Sequence, residues 1–214
     1  MDSPSNPVSP PADTRIVIRE AAKRLFLRQG YHQVSMRALA AEAGISTGPL
    51  YFHYRSKSDV FFDICLDALS RLNEHVEQAA STGTGFLLRL REIFRAFQQF
   101  YELEPLNSQL VRLCFNPLFG IGFSQEQLGL LLEKKALHME LMQEVIRQGI
   151  ACGELKELDS ARFMLILYAL GDGIFSAREN GELERFGITL ETLMEEASRL
   201  LYTGIVKREG NGPC

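Results

Sequence analysis

The stretch from Ser35 to Tyr54, SMRALAAEAGISTGPLYFHY, contains two helical segments that are too short to bury an apolar face alone. Ser35 is a suitable N-cap for MRALAAEA, and Gly44 ends that segment after about two turns. Ser46 is a suitable cap for TGPLYFHY, in which Pro49 falls within the first turn, where its missing N–H does no harm. A short helix, a tight glycine turn and a second short helix are typical of a helix-turn-helix motif.

Apolar residues recur at helical spacing through the rest of the chain, without β-type alternation of useful length. The pattern predicts one helix ending at Gly30 and a long one beginning at Ser56 or Ser58. Further helices are predicted at 86–102 and 105–115, from a Ser124–Gln127 capping box to Cys152, from Asp159 to Asn180, and from Thr189 to Val206. The predicted fold is all-α, with a disordered tail (1–13), a three-helix head (14–58), a larger helical bundle (59–208) and a flexible tail (209–214).

Charge is distributed unevenly along the chain. The whole protein carries a net charge of −4, yet residues 14–58 hold eight Lys and Arg against two Asp and Glu. A local basic face binds phosphate whatever the total charge, although a chance fluctuation on a solvated face would give the same count. The head is therefore a candidate for binding nucleic acid.

Several other classes of protein are disfavoured by the sequence. No uninterrupted apolar run approaches the roughly 20 residues of a membrane span, and the N-terminus lacks the pattern of a signal peptide. Nucleophile-elbow, phosphate-loop and dinucleotide-binding motifs are missing, and the four cysteines and four histidines lack metal-ligand spacing. We expect a cytoplasmic protein that is not an enzyme and has no metal or cofactor.

In a helix-turn-helix motif, the N-terminal residues of the second helix approach base edges in the major groove. The small or flat residues Thr47, Gly48 and Pro49 suit this close approach. Leu50 and Tyr54 are four residues apart and are predicted to face the core of the head. On the other faces, hydroxyl and imidazole groups are suitable donors to phosphate.

The order FLRQGYHQVSMRALAAEAGISTGPLYFHYRSKSDVF resembles the DNA-binding head of the TetR family of transcriptional regulators. The resemblance covers residues 14 to 65, and Pro49 stands where the family usually has Thr, Ser or Ala. It implies DNA contacts at Ser35, Arg37, Thr47, Gly48, Pro49, Tyr51, Phe52, His53 and Lys57. Arg37 suits a guanine contact, with a solvated charge as the alternative. For Phe52 the alternative is packing, and for His53 it is a capped or buried imidazole.

The bundle is rich in phenylalanine, which indicates either an apolar cavity between helices or plain core. Polar groups among these aromatic residues would orient a ligand. The predicted effector-binding residues are Phe94, Phe97, Tyr101, Arg112, Phe115, Asn116, Phe119, His138, Met142, Tyr168 and Asp172. The family resemblance implies a small-molecule effector in this region.

The last two long helices are candidates for a homodimer interface, because SARFMLILYALGDGIFSA is apolar nearly all round. A buried central helix in a monomer is the alternative. The resemblance implies that such a dimer binds a palindromic operator in double-stranded DNA. It also implies that an apolar or aromatic ligand releases the protein by changing the angle of the connecting helix. The predicted function is thus a ligand-responsive regulator, a repressor; the alternative is a DNA-binding regulator controlled by a protein partner.

Overall fold

The computed structural model describes residues 12–83, 85–116 and 120–206, and every regular element in those ranges is a helix. A short 3₁₀ turn, Tyr31–Gln33, follows the first α-helix. The α-helices are α1 (Ala12–Gln29), α2 (Met36–Glu42), α3 (Thr47–His53), α4 (Lys57–Ala80), α5 (Phe86–Leu103), α6 (Pro105–Cys114), α7 (Gln125–Ala151), α8 (Ser160–Glu179), α9 (Glu182–Phe186) and α10 (Leu190–Ile205). The prediction of an all-α fold is confirmed.

Local capping chemistry sets several of the helix starts. The hydroxyl of Ser35 accepts a hydrogen bond from the Ala38 amide at 3.1 Å. Ser124 and Gln127 form the predicted reciprocal capping box, with hydrogen bonds of 3.0 and 3.1 Å. The predicted caps Asp159 and Thr189 also accept from the first turns of their helices. These starts follow from sequence because the cap and the amide it satisfies are two or three residues apart.

One helix cap and one short helix differ from the prediction. Ser46 occupies the N-cap position of α3, but its side chain makes no capping hydrogen bond. The short helix α9 was missed; it lies between Gly181 and Gly187, which both adopt left-handed backbone conformations, with φ of 73° and 64°. A five-residue helix held between two such glycines is too short to show a helical period in the sequence.

The chain divides into two compact units. Unit 1 comprises Met1–Arg71 and Leu103–Lys134. Its core contains apolar residues of α1 to α4 together with Leu110, Cys114 and Leu131 from α6 and α7. Because those three residues complete the core, unit 1 extends past the predicted boundary at residue 58.

Unit 2 comprises Leu72–Glu102 and Lys135–Cys214. One of its apolar clusters joins residues of α8, α9 and α10, namely Ile174, Phe175, Leu183, Leu190 and Met194. Of the predicted tails, residues 1–11 and 209–214 lie outside the described residues, and α1 already begins at Ala12.

Candidate nucleic-acid interface

The second motif helix, α3, exposes its N-terminal edge and buries one side. Leu50 and Tyr54 are buried in the core of unit 1, which confirms the predicted division between its faces. Thr47 and Gly48 are exposed, and Pro49 is half-buried. A Cβ atom added at Gly48 would meet no atom within 4 Å, so packing within the described chain does not require glycine there. The edge is open for a partner to approach closely.

Two aromatic side chains of α3 are exposed to solvent. Tyr51 is 55% exposed and Phe52 is 59% exposed. The exposure of Phe52 argues against the packing alternative, since burial is what a ring contributes to a core. The half-buried His53 ring contacts the rings of Phe52 and Tyr54, with centroid separations of 5.2 and 6.3 Å. Its Nε2 atom is buried and has no hydrogen-bond partner among the described residues.

The first motif helix, α2, contributes Ser35 and Arg37. Ser35 is exposed, but its oxygen already caps the helix, so its hydroxyl proton is the group left for a phosphate. Arg37 is exposed at the same end of α2. Both side chains therefore remain candidates for DNA contact, with Ser35 holding a structural role as well.

The structure gives Lys57 contacts within the protein, although the family resemblance implies a DNA contact for it. Its ammonium group donates to the backbone carbonyls of Tyr31 at 3.0 Å, His32 at 3.0 Å and Val34 at 3.1 Å. The same Nζ atom lies 4.6 Å from the centroid of the Tyr31 ring. An ammonium has three N–H donors, and all three are used here. Lys57 therefore joins the start of α4 to the turn before α2.

Most of the basic residues counted in the head are also paired internally. Arg15 and Arg19 contact Asp63, and Arg19 also contacts Asp67. Lys23 pairs with Glu20, and both Arg24 and Arg28 pair with Glu42. Arg37 and Arg55 are exposed and have no ion-pair or hydrogen-bond partner among the described residues. The charge count over residues 14–58 did not show this internal pairing, because Asp63 and Asp67 lie beyond residue 58. Arg55 was not among the residues predicted to contact DNA.

The predicted effector residues are divided between the two units. Arg112 and Phe115 are half-buried in unit 1, where Phe115 packs against the apolar core, and Asn116 is exposed. Phe119 lies outside the described residues. The other seven belong to unit 2. Among these, Asp172 is exposed on α8, so the structure does not place it among the buried aromatic residues as predicted.

Aromatic rings of unit 2 pack closely on one another. The rings of Tyr101 and Phe175 stack with centroids 3.6 Å apart, and Phe94 and Phe97 pack against the same cluster. Met142 is also buried. These are the contacts of a packed core, which is the alternative interpretation, and the ligand site stays a prediction.

His138 is the buried polar group of this region. Its Nδ1 atom is 2.8 Å from Oδ1 of Asn73, and its ring faces Phe97 and Tyr168 with centroid separations of 5.8 and 6.4 Å. Burial, and to a smaller extent the nearby charge of Lys135, lowers the pKa of His138 to about 4. The imidazole is therefore neutral at pH 7.

Unit 2 also contains a pocket of about 340 Å³ at the ends of α4, α5 and α7. None of the predicted effector residues lines it. Its charged groups already have partners, since Arg89 donates to the Ala80 carbonyl at 2.8 Å and Glu154 accepts from the Phe86 amide at 2.9 Å. The pocket is thus unlike the apolar cavity expected from the sequence.

The penultimate long helix, α8, has an exposed apolar stripe. Leu165 is 53% exposed and Ile166 is 55% exposed, while Phe163 and Leu167 are buried. Of the helices in the described ranges, α8 alone is long and apolar enough to cross a membrane, although a core helix of a soluble protein passes the same test. Burial on one side and exposed leucine and isoleucine on the other are typical of a protein interface.

Comparisons with known proteins agree with this geometry. Residues 18–64 match the model of the bacterial regulatory proteins of the tetR family. The chain is 27% identical to the HTH-type transcriptional repressor KstR2 of Mycolicibacterium smegmatis over 154 residues, or 69% of this chain and 71% of that protein.

Two solved structures show the same fold at 19% identity. The ketosteroid regulator KstR2 of Mycobacterium tuberculosis superposes with a TM-score of 0.70 over 95% of this chain and all of that chain. FadR of Bacillus subtilis, in complex with stearoyl-CoA, gives a TM-score of 0.72 over 88% of this chain and 98% of that chain. Residues 18–64, with their exposed helix-turn-helix, thus match the tetR family of bacterial regulatory proteins, and the chain shares the all-α fold of solved regulators of that kind.

Proposed function

We propose that this protein is a repressor that binds a palindromic operator as a homodimer and is released by an apolar or aromatic small molecule. The observation that carries the proposal is the exposed edge and aromatic face of α3, where Thr47, Gly48, Tyr51 and Phe52 are open to solvent. Two large rings exposed beside a glycine gain the favourable free energy of apolar burial only when a partner covers them.

The contacts divide by chemistry. Arg37 provides the guanidinium fork that matches the O6 and N7 atoms of guanine, while Thr47 and Pro49 approach a thymine methyl. Tyr51 and His53 donate to phosphate, as does Ser35 through its remaining hydroxyl proton. In place of Lys57 we assign a phosphate contact to Arg55, because its charge is exposed and directly follows Tyr54 at the end of α3.

Dimerisation is proposed through α8 and α10. Each has exposed apolar residues, with Leu165 and Ile166 on α8 and Leu200 on α10. A two-fold dimer places two recognition helices on half-sites about 34–36 Å apart, or a multiple of that distance. The two-fold symmetry of the dimer makes the proposed operator palindromic, and the spacing sets the separation of its half-sites.

For the effector, the proposed site lies among the aromatic residues of unit 2 around His138. A neutral imidazole held by Asn73 offers one polar contact within an otherwise apolar environment. The FadR structure holds stearoyl-CoA, a molecule with a long apolar chain. Release requires the effector to bind the conformation that does not bind DNA more tightly than the one that does.

The test is fluorescence anisotropy with a palindromic duplex from the promoter region of the protein's own gene and a random duplex of equal length. We expect the operator to bind at least about 10³-fold more tightly. Arg37→Ala should cost about 1–3 kcal/mol on the operator and relax specificity, while Arg55→Ala should weaken both duplexes alike. Equal affinity of the wild-type protein for the two duplexes would overturn the proposal.

The effector is tested separately by thermal melts with a panel of steroids, fatty acids and acyl-CoA thioesters. A ligand at 100 times its Kd should stabilise the protein by about 2.7 kcal/mol, and it should also weaken operator binding. If operator binding is specific and no ligand shifts the melt, control by a protein partner replaces the small-molecule proposal.

A further inference from the structure

A buried carboxylate in the second turn of α4 connects three helices of unit 1. Asp63 is only 7% exposed. Its Oδ2 atom accepts a hydrogen bond from the Tyr54 hydroxyl at 2.5 Å and another from Arg15 Nε at 3.0 Å. Its Oδ1 atom accepts from Arg15 Nη2 at 2.5 Å. One side chain of α4 is thus bonded both to α1 and to the residue that ends α3.

The hydroxyl of Tyr54 donates to Asp63, and its oxygen accepts a hydrogen bond from Arg15 Nε at 3.3 Å. Tyr54 is the C-cap residue of α3 and is itself buried. Burial first, and then the hydrogen bond to Asp63, raises the pKa of Tyr54, so the hydroxyl stays protonated and acts as a donor. A hydrogen bond to a charged acceptor in a buried place is strong, and leaving such a donor unpaired is costly.

The helix α3 packs against α1 and α2, but no side chain of Thr47–His53 forms a hydrogen bond with another described residue. The helix has seven residues, of which only Leu50 is buried, and its N-cap side chain makes no hydrogen bond. The C-terminal end is where a polar contact fixes its direction. A change in that direction would move Thr47 and Pro49, which lie about 10.5 and 7.5 Å from Tyr54 along the helix at 1.5 Å per residue.

Asp67, one turn further along α4, provides a natural comparison. It pairs with Arg19 at 3.4 Å and with Arg71 at 3.2 Å. Like Asp63 it is a carboxylate paired with arginine, but the structure gives it no contact with α3. Changing either aspartate to asparagine alters the net charge equally, and only the Asp63 change touches the recognition helix.

We propose that Asp63 is a positioning residue for operator recognition, which sets the direction of α3 through the hydroxyl of Tyr54 without touching DNA. This inference rests on the proposed function, since it concerns how α3 selects a DNA sequence. A change at Asp63 should mainly weaken the base contacts of α3, because these contacts require a fixed geometry. Phosphate contacts made by a flexible guanidinium tolerate a small change in direction.

The experiment compares Asp63→Asn, Tyr54→Phe, their double variant and the control Asp67→Asn. Operator and random-duplex affinities are measured at a temperature where melting curves show each variant folded. Asp63→Asn and Tyr54→Phe should each lower operator affinity roughly tenfold or more, with a much smaller fall in random-duplex affinity. The double variant should be no weaker than the weaker single variant, because the Tyr54–Asp63 hydrogen bond is the contact with α3 that both changes disrupt. Asp67→Asn should bind as the wild-type protein does.

Hydrogen exchange of the free protein gives a second readout that needs no DNA. Amides of residues 47–54 should exchange faster in Asp63→Asn and Tyr54→Phe than in Asp67→Asn, while those of α2 should not change. The inference is overturned if folded Asp63→Asn keeps full operator affinity, or if operator and random affinities fall by the same factor. A wild-type protein that fails to distinguish the duplexes refutes the proposed function itself, and the exchange data then still report whether Asp63 holds α3.

Discussion

The contacts of Lys57 lead to a prediction that separates a structural lysine from a DNA-binding one. Its ammonium bonds three backbone carbonyls in the turn between α1 and α2, two of them in partly buried surroundings. The substitution Lys57→Met keeps the aliphatic stem and its packing against Tyr31 while it removes every donor. The three carbonyls then lose a charged partner at once.

The magnitude follows from the burial of those carbonyls. A hydrogen bond to a charged group contributes about 1.5–3 kcal/mol when buried, and exposed ones contribute much less. Counting mainly the two partly buried bonds, we expect Lys57→Met to lower the free energy of unfolding by about 2–3 kcal/mol. For a chain of this size that corresponds to a fall in Tm of roughly 4–12 °C.

The assay combines thermal melts with the salt dependence of binding to a random duplex, measured below the melting transition. For Lys57→Met we expect the lower Tm and an unchanged slope of log K against log salt. A lysine that contacted phosphate would behave in the opposite way, with a normal Tm and a slope reduced by about 0.9 for each head, or about 1.8 for the proposed dimer.

Arg55→Met is the matched control. Arg55 is exposed and has no partner among the described residues. Its removal should leave Tm unchanged and reduce the slope. If Lys57→Met melts like the wild-type protein and loses slope, the structural assignment of Lys57 is wrong.

Two further predictions concern unit 2. Because the pKa of folded His138 is lowered to about 4, below the unfolded value of about 6.5, the unfolded chain takes up a proton first as the pH falls. The free energy of unfolding should thus decrease between pH 6.5 and pH 4, by about 2 kcal/mol at pH 5 relative to pH 7. Urea titrations should show that the variant His138→Gln lacks this pH-dependent loss of stability. An equal pH dependence in the variant would contradict the prediction. The substitution Leu165→Glu, on the proposed dimer face, should halve the mass measured by light scattering and abolish operator binding. The control Leu103→Glu, at another exposed leucine, should change neither the mass nor operator binding. If Leu165→Glu remains a dimer, the interface lies elsewhere.

Helix starts were predictable because their chemistry is local. Ser124 and Gln127 satisfy each other's backbone amides across three residues, so the capping box can be recognised in the sequence alone. The helix-turn-helix motif was predictable because its turn chemistry is also local. Gly44 follows α2 with a φ of 68°, which other residues rarely adopt. Ser46 shows that a suitable residue at an N-cap position need not form the capping hydrogen bond.

The roles of charged and aromatic residues were harder to predict, because they depend on distant parts of the chain. Lys57 meets its carbonyl partners across 23 to 26 residues. A phenylalanine in an amphipathic helix contributes the same sequence signal whether it lines a cavity or fills a core, as Phe97 illustrates. For Phe52 the alternatives were packing and DNA contact, and its exposure, a property of the folded chain, argues against packing.

The internal pairing of the head changes what its basic composition implies for DNA binding. Eight Lys and Arg in residues 14–58, counted in both heads of a dimer, would neutralise up to sixteen phosphates and give a salt slope near −14. Of these eight residues, only Arg37 and Arg55 lack partners among the described residues. A dimer therefore has four such guanidinium groups, and the salt slope should be no steeper than about −3.6. Titrating operator binding between 50 and 300 mM salt measures this slope directly. A slope steeper than −8 would show that the internal ion pairs open on DNA, and that the basic composition of the head, with Arg15, Arg19 and Arg28 included, does act on phosphate.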